Sequence, residues 1–140
     1  NEMLARTILA SALLLAAAGC TQGAPPEPKL GVREAAELEK ALAGKVAGEP
    51  VACIAAYNGN NLRALGDNVL VYRANRNLIY RNDLLGRCNG LARGDILVLT
   101  RTISSQYCRG DMAHVVDPQV GMMRGACALG SFVPYRPVGK

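Results

Sequence analysis

Hydrophobic positions along this chain change their period three times, and each change marks a different kind of structure. Ile8 to Ala18 is an almost unbroken apolar stretch of 11 residues with Arg6 ahead of it. It is too short for a membrane span, which takes roughly 18 or more apolar residues. From Thr21 to Lys29 the apolar pattern disappears, and Pro25, Pro26 and Pro28 predict a stiff, extended spacer. Val32 to Ala43 shows helical spacing, with Ala35, Leu38, Ala41 and Leu42 on one stripe. Glu34 and Glu37 lie early and Lys40 and Lys45 late, which suits the helix dipole, and Gly44 is a natural stop. A stripe made mostly of alanine predicts weak packing. Gly48-Glu49-Pro50 then breaks the chain.

After Pro50 the pattern becomes that of strands. Val51–Tyr57 is a short apolar run, followed by the turn residues Asn58 to Asn61 and a second turn at Gly66-Asp67-Asn68. Val69–Arg73 and Leu78–Asn82 flank Ala74-Asn75-Arg76-Asn77, the clearest hairpin in the chain, with Tyr72 and Tyr80 placed to meet across it. Gly86 to Gly94 reads as a loop and Asp95 to Ile103 as the strongest strand. Gln106–Cys108 would extend an edge, His114–Asp117 is a shorter strand ended by Pro118, and Gly121 to Gly125 is loop. Ala126–Tyr135 closes the chain. No internal repeat is present. The expected fold is mainly β, a small antiparallel barrel or sandwich of about six strands preceded by one short α-helix. A parallel sheet is excluded because no helical crossovers separate the strands.

Composition sharpens this. The chain has no Trp and one Phe, so the core must be built from Val, Ile, Leu, Phe132 and the tyrosines Tyr57, Tyr72, Tyr80, Tyr107 and Tyr135. Such a core buries less area per residue and calls for covalent help. Five cysteines are present. The first, Cys20, follows Ala17-Ala18-Gly19, and this Ala-Ala-Gly-Cys resembles the lipobox of bacterial lipoproteins. The resemblance covers residues 3 to 21 and places the initiator at Met3. It implies an acyl group on Cys20, cleavage before it, and an outer-membrane lipoprotein facing the periplasm, since Thr21 is not the retention aspartate. The organisation expected is a signal peptide over 1–19, a lipid-anchored Pro-rich spacer over 20–31, a short helix and linker over 32–50, and a β-domain over 51–140.

Cys53, Cys88, Cys108 and Cys127 remain, an even number in an exported chain, which predicts two disulfides. Their wide spacing lacks the close pairs of a zinc site. Three pairings are open. The favoured one joins Cys88 to Cys108, closing a local loop, and Cys53 to Cys127, tying the first strand to the last.

Charge is uneven. Residues 20–50 carry a net of −1, whereas 51–140 carry ten Arg and Lys140 against five Asp, a net of +6. Arg stems covering apolar strands explain part of this. An anionic envelope component or a periplasmic protein fits the remainder, and nucleic acid does not fit the compartment. Arg73, Arg81 and Arg101 alternate with apolar residues and are the candidate anion-binding residues.

Catalytic residue types cluster only at Asp111, His114 and Asp117. On a strand His114 and Val116 face one way and Asp117 the other, which argues against a shared site. The tripeptide Arg109-Gly110-Asp111 matches an integrin-binding motif by letters alone, and Ser104-Ser105 has no base nearby. No catalytic residue, cofactor or metal is expected.

Beyond the lipobox, Cys53-Ile54, Tyr80-Arg81 with Asp83-Leu84-Leu85, and the Cys88, Cys108, Cys127 series resemble small proteobacterial lipoproteins with a four-cysteine β-domain. That resemblance implies fold and location, not activity. The functional expectation is a non-enzymatic, lipid-anchored envelope module that binds or stabilises an envelope component. The alternative is an inhibitor of an exported enzyme, similar in architecture to lysozyme-inhibitor lipoproteins. The basic β-domain opposes pairing with a cationic lysozyme.

Overall fold

The computed structural model describes residues 28–56, 61–100 and 105–139. The apolar segment 8–18, Cys20, Tyr57 and Arg101 lie outside the described residues. Among the described residues one α-helix, α1 (Val32–Leu42), precedes ten strands. These are β1 (Lys45–Ala47), β2 (Cys53–Ala55), β3 (Leu62–Leu65), β4 (Val69–Asn75) and β5 (Leu78–Asp83). Then come β6 (Ile96–Thr100), β7 (Gln106–Cys108), β8 (Met112–Val116), β9 (Met123–Ala128) and β10 (Phe132–Pro137). Every pairing is antiparallel. A five-stranded sheet runs β1-β10-β5-β4-β3, β2 pairs with β7, and a three-stranded sheet runs β6-β8-β9. The result is the expected mainly β architecture, sandwich-like and not closed into a barrel.

The strands outnumber the expected six for local reasons. Leu62-Arg-Ala-Leu65 is too short to stand out until it pairs with β4. The apolar run from Ala126 to Tyr135 is two strands, because the backbone leaves the ladder at Leu129–Ser131. The segment after Gly44 (φ +70°) becomes β1 rather than linker, since its edge is taken by β10. Residues 32–50 therefore belong to the same fold as the strands that follow.

The β4–β5 hairpin forms as its pattern predicts. Asn75 Oδ1 accepts the Asn77 N–H at 2.8 Å, a side-chain stand-in for a backbone turn bond. Tyr72 lies opposite Tyr80 with ring centroids 6.5 Å apart. Edge contacts continue to Tyr107 on one side (6.0 Å) and Phe132 on the other (6.3 Å). Four rings thus make one continuous run through a core that has no tryptophan.

Alternation sorts the faces of the large sheet. Leu70, Tyr72 and Phe132 point into the main core with Ile54, Val115, Cys127 and Leu129. Leu65, Val69, Val71 and Ile79 point the other way and pack under Leu38 of α1, with Leu30 and Leu42 at the margin. An isolated helix of this length is marginal in water, so α1 depends on that contact. On β6, Leu97 and Leu99 turn to the core, while Ile96 and Val98 face outward.

The disulfides are Cys53–Cys108 and Cys88–Cys127. This corrects the expected pairing of Cys88 with Cys108 and Cys53 with Cys127. β2 pairs with β7, so Cys53 lies directly opposite Cys108, while the preceding Val51 bridges to Phe132 of β10. Meanwhile Leu85 and Ala128 exchange backbone hydrogen bonds at 2.8 and 3.0 Å, which brings the loop holding Cys88 against β9 and Cys127.

Candidate anion-binding cleft

The Asp111, His114 and Asp117 cluster separates in three directions. Asp111 is buried beneath the β7–β8 turn, where its Oδ2 accepts the Cys108 N–H at 2.8 Å. Asp117 caps the turn after β8, its Oδ1 accepting the Gln119 N–H at 2.8 Å and its Oδ2 paired with Arg124. The bond from Arg124 and the backbone N–H groups hold the Asp117 carboxyl below its ordinary pKa. His114 sits mid-strand between Val98 and Ala126 on the outer face of the three-stranded sheet. Burial of both aspartates means that changing them is not the near-neutral surface substitution their loop-like sequence suggests. Among the described residues no group of three His, Cys, Asp or Glu is placed to hold a metal.

Arg73 and Arg81 share the outer face of the large sheet, one pair apart: Arg73 opposes Ile79, and Arg81 opposes Val71. Arg73 is exposed. Arg81 is committed to Asp83, with its Nε 2.7 Å from Oδ1 and its second nitrogen 3.2 Å from Oδ2. Burial disfavours the Arg81 charge, yet Asp83 and Tyr135 hold its pKa above the usual arginine value. Its positive charge is therefore largely spent within the protein.

A different cationic site is assembled where several loops meet. A cleft of about 800 Å³, with mostly apolar walls, opens beside the loop after β5. That size lies within the usual range for small-molecule sites. Lys29, Arg87 and Arg109 line it, together with Leu84, Leu85 and Val133 and with Asp83, whose carboxylate is paired with Arg81. None of the three cations has an ion-pair partner among the described residues. Arg87 and Arg109 are exposed, and so is Lys29.

The supports of this cleft are rigid. Arg87 directly precedes the bridged Cys88, and Arg109 directly follows the bridged Cys108. The Arg109 N–H donates to the Ala52 carbonyl at 2.7 Å. Behind Arg87, the Cys88 N–H donates to the Asp67 carbonyl at 3.1 Å, and Asp67 Oδ1 accepts from Gly90 and Ala92 at 3.2 and 3.0 Å. At the back wall Asn82 and Gly130 bond reciprocally, Nδ2 to the carbonyl at 2.7 Å and N–H to Oδ1 at 2.8 Å. A Cβ at Gly130 would run into the Asp83 carbonyl oxygen, so only glycine lets the two chains approach this closely.

The cleft was not legible along the chain because its cations come from a proline-rich approach, a loop and a turn. The local signal that marks two of them is an arginine next to a cysteine. The chemistry on offer is electrostatic: three cations without ion-pair partners among the described residues, beside one carboxylate already paired with Arg81, over an apolar floor, suited to holding an anion.

Fold and site together define a small disulfide-stapled β-domain with a cationic cleft. The chain belongs to a family of unknown function, DUF6491, which it matches over residues 3–133. No curated protein and no solved structure matches it.

Proposed function

We propose that this protein is a non-enzymatic, lipid-anchored module of the bacterial envelope that binds an anionic envelope component. One observation carries the binding part: Lys29, Arg87 and Arg109 line a single cleft and have no ion-pair partner among the described residues, while Asp83 in the same wall is paired with Arg81. The anchoring part is supported by the Arg6, apolar, Ala-Ala-Gly-Cys20 series. Two disulfides fit an oxidising compartment. Asp111, His114 and Asp117 lie in separate surroundings, which supports a binding reading over a catalytic one.

Two measurements test the two parts. Radioactive palmitate should label the wild type in bacteria and not Cys20→Ala, and equal labelling overturns the anchor. Inorganic phosphate and sugar phosphates should raise the thermal midpoint of the purified protein by binding the folded state. The rise should vanish in high salt and in Arg87→Glu/Arg109→Glu, and its persistence in that variant overturns the cleft as the binding site.

A further inference from the structure

We infer that the cleft takes the phosphate headgroup of a membrane lipid, in the same bilayer that carries the protein's anchor. This rests on the lipid-anchored reading above and adds to it the ligand class and the orientation of the domain. Two features of the cleft lead to this ligand.

The first is where the chain enters. Pro28 and Lys29, the first described residues, themselves line the cleft. Only residues 21–27 separate Cys20 from Pro28 in the sequence, and eight residue steps span at most about 29 Å whatever their conformation. An acylated Cys20 therefore holds the cleft close to the headgroup layer. The tether also raises the local concentration of headgroups far above that of any soluble anion.

The second feature is the mixed chemistry of the walls. Lys29, Arg87 and Arg109 meet apolar Leu84, Leu85 and Val133 in one concavity, and Leu85 is 43% exposed there. A free phosphate uses the cations and leaves the apolar wall wet. A glycerophospholipid or a phosphorylated glycolipid uses both, because its phosphate sits directly beside glycerol or sugar carbons and acyl chains.

The chain from residue 21, which keeps every described residue and lacks the anchor, is mixed with vesicles and floated on a density gradient. Vesicles of phosphatidylcholine alone should bind weakly, and vesicles that also contain phosphatidylglycerol should bind well at low salt. Arg87→Glu/Arg109→Glu should lose about tenfold or more in vesicle affinity. Arg73→Glu/Arg136→Glu changes net charge equally on surfaces outside the cleft and should retain most of the binding. Equal losses in the two variants overturn the inference in favour of diffuse charge attraction. A third outcome is stabilisation by inorganic phosphate or glycerol phosphate through Arg87 and Arg109 without vesicle binding. That outcome overturns the membrane ligand and leaves the anion-binding reading standing. Absence of both effects overturns the two together.

Discussion

Arg87 and Arg109, far apart in sequence, stand on one cleft because each is the immediate neighbour of a bridged cysteine. Cys88 is tied to β9 and Cys108 to β2, so both arginine backbones are held at points the chain cannot move without breaking a covalent bond. Side-chain entropy still opposes binding at each arginine, but the backbone cost is met in advance by the fold. The bridges thus link the stability of the fold to the placement of the two arginines.

Peptide mapping without reductant should recover Cys53 joined to Cys108 and Cys88 joined to Cys127. The sequence separations of 55 and 39 residues correspond to about 4 kcal/mol each on the chain-entropy account. Replacing both members of either pair by serine should lower unfolding free energy by about 2–5 kcal/mol in denaturant titration. A shift under about 1 kcal/mol would falsify a structural role for that bridge.

Gly130→Ala should cost about 2–3 kcal/mol, since the new methyl must push Gly130 away from the Asp83 carbonyl and loosen the Asn82–Gly130 bonds. Gly139→Ala meets nothing and has no positive φ, so it should stay within about 0.5 kcal/mol of wild type. Thermal unfolding of the two variants side by side decides this. Similar midpoints would show that the back wall of the cleft yields easily.

Acid should weaken the turn after β8. The Asp117 pKa is depressed in the folded state by Arg124 and by the Gln119 and Val120 N–H groups. A depressed carboxyl contributes stability above its unfolded value, near 4, and loses it as pH falls through the folded value. Stability should therefore hold from neutral pH to about pH 5 and decline below about pH 4. In Asp117→Asn that acid-dependent loss should shrink, while stability near pH 7 drops. An unchanged acid profile in the variant would remove Asp117 as the source.

His114 gives a prediction of opposite sign. Its Nδ1 is shielded from water and has no partner among the described residues, while the residues opposite are Val98 and Ala126. Replacing it with valine removes an unmatched polar group and supplies a better strand former. His114→Val should keep or raise stability by about 1 kcal/mol. A loss of that size in chemical denaturation would instead indicate a hydrogen bond made by the histidine in solution.

How much of this was readable in advance varied with the range of the forces involved. The β4–β5 hairpin, its Tyr72–Tyr80 pair and helix α1 were legible, because turn chemistry and side-chain period act over a few residues. The break at Leu129–Ser131 was hidden, since Leu129 keeps the apolar run going and only the Asn82–Gly130 bonds pull the chain out of line. The cysteine pairing depended on two long-range contacts, β2 with β7 and Leu85 with Ala128, neither of which leaves a local mark. Arg81 looked available because its neighbours in sequence are mostly uncharged. Its ion pair with Asp83, two residues on along the same face, was the one clue within reach.

The two bridges interlock: Cys88 falls between Cys53 and Cys108, and Cys108 falls between Cys88 and Cys127. A chain delivered amino-terminus first shows its cysteines in the order 53, 88, 108, 127. Oxidation in order of arrival would join Cys53 to Cys88 and Cys108 to Cys127, and neither bond exists in the finished protein. Maturation must then either delay oxidation until β7 and β9 are in place or undo early bonds by thiol exchange. This makes the protein a demanding client for disulfide proofreading, and its yield a gauge of how well a cell performs it.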